Sequence, residues 1–427
     1  MRARVFALLR WSLLCWACTY FALFAISGQT LLRSAAFGFA LLLAVWLVLG
    51  TIFYDNEPIP LPDAGLALGV AVWAAWSMAS LTWSIRPEYT RSELGTEIGW
   101  GLATAAVFFV AARSGPALRA LVATAVGAAT LLAALAVGTA LAAGGFNAQQ
   151  ALTRAHGGAG HFSTYIVLAL PLLPLLALPA PVGFGSSRRT VAVLAAAFLL
   201  LLFAARLTEN RMIWVSLAAA ALTAAALSAW RWRGRRNAVS WRWIGALVAL
   251  LLVLAGLFVD AAIQRTRTDF KPDTTLAQAL ADDPRLLLWG RTIEQIRERP
   301  WTGFGFGKSI LREELQASLG DPLLAHAHNL FVSRWLQTGA VGVATLVALL
   351  AAIAWRYGVF LRAADRTLAA VGLAGLTMLI AFVVKNLTDD FMIRSTGKEF
   401  WALNAMLIGY GIRREIACRD PSGPAGP

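Results

Sequence analysis

The chain has 427 residues, of which 59% are hydrophobic and only 14% charged, with a mean hydropathy of +0.65 and a formal net charge of +14. These proportions exclude a soluble domain of ordinary composition and predict an all-α polytopic membrane protein. The basic excess is accounted for by loop arginines facing anionic lipid headgroups, so membrane lipids are the expected partners and no nucleic acid is needed to explain it.

A span needs about 20 mostly apolar residues, and hydropathy between charged breaks predicts about 12 helices. They fall near 7–26, 35–53, 64–83, 97–112, 118–142, 162–180, 190–205, 212–229, 243–262, 329–354, 367–385 and 400–412. The first has the basic start and apolar run of a signal peptide. It lacks an A-x-A-like cleavage site and more spans follow, so it is expected to be retained. Cys15 and Cys18 have no histidine nearby to complete a metal set, and Cys418 lies in a predicted cytoplasmic tail, so no disulfide is expected to brace an outer loop.

Orientation follows from the bias of Lys and Arg toward cytoplasmic loops. With the N-terminus inside, the inner segments hold Arg2 and Arg4, Arg113 and Arg119, Arg188 and Arg189, the run from Arg231 to Arg242, then Arg356, Arg362 and Arg366, and finally Arg413 and Arg414. Only the short segment with Asp55, Glu57 and Asp63 lacks this bias. Both termini are therefore expected in the cytoplasm. Trp230, Trp232, Trp241 and Trp243 among these arginines read as an interfacial aromatic belt rather than a base-stacking patch.

The outward segments collect all four histidines, His156, His161, His326 and His328, together with arginines that run against the positive-inside bias. Arg211 opens the eighth span in Leu-Thr-Glu-Asn-Arg. It is read either as a snorkelling residue paired with Glu209 or as an anion clamp, with helix N-terminal N–H groups adding to the guanidinium. Lys385, Asn386, Asp389, Asp390 and Arg394 form a second polar group after the eleventh span. Those residues suit either a surface ion-pair cluster or contacts to His328, an arginine or sugar hydroxyls.

Between the ninth and tenth spans lies the one long polar interruption, residues 263–328. Asp283-Pro284 reads as an N-cap followed by proline at the first helical position. Leu286, Leu287, Trp289, Ile293 and Ile296 then recur at helical spacing until Pro300, which predicts an amphipathic helix over about 284–298. Such a helix either lies on the headgroup plane or packs over the bundle as a lid. Gly307-Lys308-Ser309 matches the end of a phosphate-binding loop, but Thr302 stands where that pattern needs glycine and a helix precedes it, so no ATP site is expected. The loop closes on His326-Ala-His328-Asn329. A metal reading would take His161 as third ligand, yet no matching acidic or cysteine spacing accompanies the pair. His328 as a general base is favoured over a capping role and over metal ligation, because an imidazole has a free-solution pKa near 6.5.

Leu-Thr-Glu-Asn-Arg211 opening a span, Pro284-Arg285-Leu-Leu-Leu-Trp289, Arg299-Pro300-Trp-Thr-Gly303-Phe-Gly305, and His328-Asn329 with nine residues to Gly339 and then Gly342 resemble the O-antigen ligase/polymerase (Wzy_C-type) superfamily in order and spacing. Trp83-Ser84 after the third span is similar too. Within that superfamily the His-Asn-x9-Gly pattern is most similar to the ligases. The resemblance implies a GT-C-like, metal-independent inverting glycosyltransferase in the bacterial inner membrane, with a periplasmic site and no cofactor. Its implied donor is undecaprenyl-diphosphate-linked O-antigen and its implied acceptor is lipid A–core oligosaccharide.

By that resemblance Arg211 and Arg285 fall on pyrophosphate-associated arginines and His328 on the essential histidine. His161 stands where many relatives have asparagine. Asn329, Arg265, Asp389 and Lys308 are carried as substrate-binding candidates beside them. A polymerase acting on a lipid-carried acceptor and a protein O-oligosaccharyltransferase use the same donor chemistry. A transporter would instead place ionisable groups at the bilayer midplane, often in internal repeats, and no repeat is visible in this sequence.

Overall fold

The computed structural model describes residues 2–25, 29–54, 60–142, 158–232, 241–269, 284–319 and 326–419. It is an all-α polytopic membrane protein, with 84% of it helical and no strand among the described residues. Eleven helices there are long and apolar enough to cross a bilayer. In chain order the helices are α1 (Arg2–Ala22), α2 (Thr30–Tyr54), α3 (Ala64–Ala79), α4 (Pro87–Ala111), α5 (Gly115–Ala142), α6 (Ala159–Leu176) and α7 (Arg188–Leu207). There follow α8 (Arg211–Arg231), α9 (Trp241–Asp269), α10 (Pro284–Glu298), α11 (Arg312–Leu319), α12 (Leu330–Arg362), α13 (Arg366–Lys385) and α14 (Arg394–Arg419).

The expected spans recur within a few residues, with two instructive differences. The fourth begins at Pro87, ten residues before hydropathy places it, and passes through a π-helical stretch over Leu94–Gly99. There the Glu97 carboxylate accepts the backbone N–H of Arg394. Such π insertions are commonly found at functional sites, where one extra residue per turn reorients a side chain. The last helix, α14, is the only expected span that is too polar to qualify by composition. It lies in the bundle core instead, with every residue from Phe400 to Ile412 buried and its face packed on α4.

Side-chain ties sort the helix ends into two groups. Arg231 at the end of α8 donates to the carbonyls of Leu361 and Ala363, at the α12–α13 turn. Arg356 pairs with Asp63 and Glu415, Arg414 with Asp365, and Arg413 donates to Phe109 O. This arginine-rich end gathers segments that the positive-inside parity assigns to one side. The opposite end carries residues 300–319 and 326–330, the start of α8 and the turn between α13 and α14.

Candidate active site

The site rests on a broken helix. Asn329 caps α12 by accepting the N–H groups of Phe331 (2.9 Å) and Val332 (3.1 Å) with Oδ1, while its Nδ2 donates to Leu387 O (2.8 Å). Leu330 N donates to Asn386 O (2.9 Å), so the start of α12 is tied to the turn after α13. Ten residues beyond Asn329, Gly339 adopts φ 71° and ψ −175° and interrupts the helix. Carbonyls released by that break are taken up from outside: Leu336 O by Phe304 N (3.0 Å), Gln337 O by Gly305 N (2.8 Å) and Thr338 O by the Trp76 indole (2.9 Å). Ala340 N donates in turn to Pro300 O (2.8 Å). Non-helical backbone at membrane depth is tolerated when protein satisfies it in this way.

Gly303 and Gly339 are required by this docking. Both have positive φ, and a Cβ would stand 2.5 Å from Gln337 C at Gly303 and 2.1 Å from Trp301 C at Gly339. The segment with the phosphate-loop-like end spends its N–H groups on protein. Phe306 N donates to Ser80 Oγ, Gly307 N to Gln337 Oε1, and Ser309 N to the Tyr89 hydroxyl.

Over this segment α10 packs as a lid rather than lying apart. Leu288 and Ile296 are buried in a small second core with Phe304, Ile310, Leu311, Leu315 and Leu336. Arg86, at the start of α4, pairs with Glu313 and Glu314 of α11 and fastens the far edge. Trp289 of α10 donates to Ala327 O (2.7 Å), next to His328. Arg285 is the second residue of α10 and Arg265 lies near the end of α9, but both side chains fall outside the described residues.

At the return to the membrane, Asp389 Oδ1 is the hub. His326 Nε2 and His328 Nδ1 each stand 3.4 Å from it, and Lys308 Nζ is 3.6 Å away while donating to Asp390 O (2.9 Å). Burial works to raise the Asp389 carboxyl, but the two imidazoles and the Lys308 ammonium outweigh it and hold the group well below the usual carboxylate range. Burial pushes His326 down to about 4, so that ring is neutral at ordinary pH. His328 has φ 48°. The left-handed region costs a non-glycine residue about 1–2 kcal/mol. The only other non-glycine residues with positive φ among those described are Glu209 and Arg394, at this same end. Backbone strain of this kind tends to collect at functional sites.

Arg211 is brought to the same end by packing. The 21-residue α8 lies against α13, and its far end is fixed at the α12–α13 turn by Arg231. Its first residue, Arg211, therefore sits where α13 finishes at Lys385, with Asn210 capping the helix through Met212 N (3.1 Å). The neighbouring Arg206 pairs with Asp260 of α9. His161 is placed against the 391–396 segment, 3.3 Å from Thr396 Oγ1 and edge-on to Phe391. It does not join His326 and His328, so the third member of that histidine cluster is Asp389, 61 residues downstream of His328, and not His161. His156 falls outside the described residues.

A buried polar group beneath the site was not visible in the sequence. Arg334, 2% exposed, donates to Gln337 Oε1 (2.8 Å) and lies over the Phe306 ring. Its only sequence signal is an arginine four residues into a hydrophobic span, which is costly in lipid and therefore points inward.

Fold and site together define a polytopic membrane protein in which the segment from Pro300 to Ser309 is docked into a broken span, with a His–His–Asp–Lys cluster beside the start of that span. Residues 196–347, from the middle of α7 to beyond the break in α12, match the family model described as O-Antigen ligase (Wzy_C). No curated protein matches the chain.

Proposed function

We propose that the chain is an O-antigen ligase of the WaaL type, a metal-independent inverting glycosyltransferase. It moves a glycan from undecaprenyl diphosphate to the lipid A–core oligosaccharide. In this reading residues 1–427 form one integral domain of the bacterial inner membrane with both termini cytoplasmic, and 263–328 is its periplasmic loop. The observation that carries the reading is the His328–Asp389 pair, set beside the N-cap of the span at which the matched family segment ends.

An ionised Asp389 facing Nδ1 favours the tautomer with the proton on Nδ1, which leaves Nε2 as an acceptor. Nε2 takes the proton of a core-sugar hydroxyl as its oxygen attacks the anomeric carbon. The carbon–oxygen bond to the diphosphate breaks on the opposite face, and a single displacement inverts the centre. The leaving diphosphate needs no proton if its growing charge is met, and Arg211 and Arg285 supply always-charged, bidentate donors for it. Because the donor is already activated, the chemistry calls for neither ATP nor a metal. Asn329, His161, Arg265 and Lys308 are assigned to substrate binding.

A polymerase would use the same groups with a lipid-carried glycan as acceptor. The two are separated by offering purified protein the lipid-linked glycan with either lipid A–core or further lipid-linked glycan alone. Product on lipid A–core supports the ligase, whereas lengthening of the lipid-linked chain alone would replace it with the polymerase.

A further inference from the structure

Three ligand-type atoms from two loops converge beneath the lid: His326 Nε2 and His328 Nδ1 before α12, and Asp389 Oδ1 after α13, all within 4.8 Å of one another. Both nitrogen–oxygen separations are 3.4 Å. That exceeds the usual N–H···O range of about 2.7–3.2 Å. It equals the edge of a tetrahedron whose ligands sit about 2.0–2.1 Å from a central zinc ion, which is about 3.4 Å. His328 Nδ1 is also buried with no hydrogen-bond partner. A buried polar atom without a partner is uncommon enough to require a reason.

We propose that His326, His328 and Asp389 bind a divalent transition-metal ion of the zinc class, with a fourth position left for water, and that the bound ion switches transfer off. Two imidazoles and one carboxylate are a donor set suited to zinc, copper, iron or nickel rather than to magnesium or calcium. Lys308 opposes the ion, since its ammonium lies 3.6 Å from the same Asp389 oxygen. It has a second acceptor in Asp390 O and can release the carboxylate without losing its place.

The switching half rests on the reading of His328 as base. Without metal the ring carries its proton on Nδ1 and offers the Nε2 lone pair. Metal on Nδ1 takes the Nδ1 lone pair, so the single proton of the neutral ring moves to Nε2. No net proton is released, yet the acceptor has become a donor. His326 ligates through Nε2 and keeps its proton on Nδ1.

The test uses the full chain, purified and stripped with a chelator, then titrated with Co2+ followed by visible absorption and with Zn2+ followed by calorimetry. One tetrahedral equivalent is expected, weakened at least tenfold in His326→Ala and Asp389→Asn and unchanged in His161→Ala. Lys308→Met should tighten binding several-fold, a gain that misfolding does not produce. Absence of one-to-one binding, or wild-type affinity in both His326→Ala and Asp389→Asn, overturns the site. In the transfer assay zinc should silence the wild type, a chelator should restore it, and His326→Ala should keep transferring at that zinc level. One bound equivalent with undiminished transfer would leave the ion site standing and overturn the placement of His328 as base.

Discussion

Gly339→Ala tests the docking of the 300–309 segment into the broken helix. An alanine at φ 71° and ψ −175°, a backbone region essentially reserved for glycine, costs about 1–3 kcal/mol for the conformation alone. Its Cβ would also meet Trp301 C and O at 2.1 Å and Thr302 N at 2.3 Å, all backbone atoms that no rotamer change can move. Overpacking of that kind costs about 1–3 kcal/mol. The sum, about 3 kcal/mol, rivals the three hydrogen bonds that seat Phe304, Gly305 and Pro300, at about 1 kcal/mol each. The loop should therefore leave its seat. Hydrogen exchange of the Phe304 and Gly305 amides is expected to accelerate about a hundredfold, with transfer falling by a similar factor, while exchange in α5 stays as in wild type. Gly127→Ala, where a Cβ meets nothing within 4 Å, is the matched control. Exchange within threefold and transfer within twofold of wild type in Gly339→Ala would refute the argument.

Asp389→Asn removes the charge that faces His328 Nδ1 and should lower kcat by tenfold or more with little change in KM; a loss confined to KM would assign Asp389 to substrate instead. Arg211→Lys should lose much of what Arg211→Ala loses, because an ammonium cannot give bidentate contacts, and full activity in Arg211→Lys would count against a fork-like clamp. Burial lowers His326 to about 4, so between about 6.5 and about 4 the unfolded chain takes up a proton that the folded chain does not. In chelated buffer the fold around His326 should lose stability as pH falls through that window, by about 3 kcal/mol at most; thermal melting that is flat from pH 7 to 4.5, or equally steep in His326→Ala, would contradict this. Trp289→Phe deletes the bond to Ala327 O and should weaken transfer several-fold by loosening His328, an effect absent if α10 merely floats on lipid.

The spans were legible because about 20 apolar residues between charged breaks admit few other structures. Where the sequence reading fell short, a distant partner decided the outcome. Polar residues 87–96 continue α4 because Glu97 meets the backbone of Arg394, and α14 is held by packing although its own composition is too polar for a lipid-facing span. A helix spans Pro284–Glu298, but the apolar set Leu286, Leu287, Trp289, Ile293 and Ile296 does not show which face is covered. Leu288, Thr292 and Ile296 are buried, and Leu287 and Ile293 face outward, since α11 and α12 pack on one side only. His328, Asn329 and Arg211 were readable as local patterns. The contact of Asp389 with His328 was one of two readings left open, and the closing of Lys308 on the same carboxylate was not readable, because it joins segments on either side of two spans.

The central claim is tested most directly by single-turnover transfer with purified wild-type and His328→Ala protein, lipid-linked glycan and lipid A–core, in chelator and without ATP. The account predicts product from the wild type and a rate at least a thousandfold lower in His328→Ala, with donor still bound. Transfer by His328→Ala at the wild-type rate would contradict it.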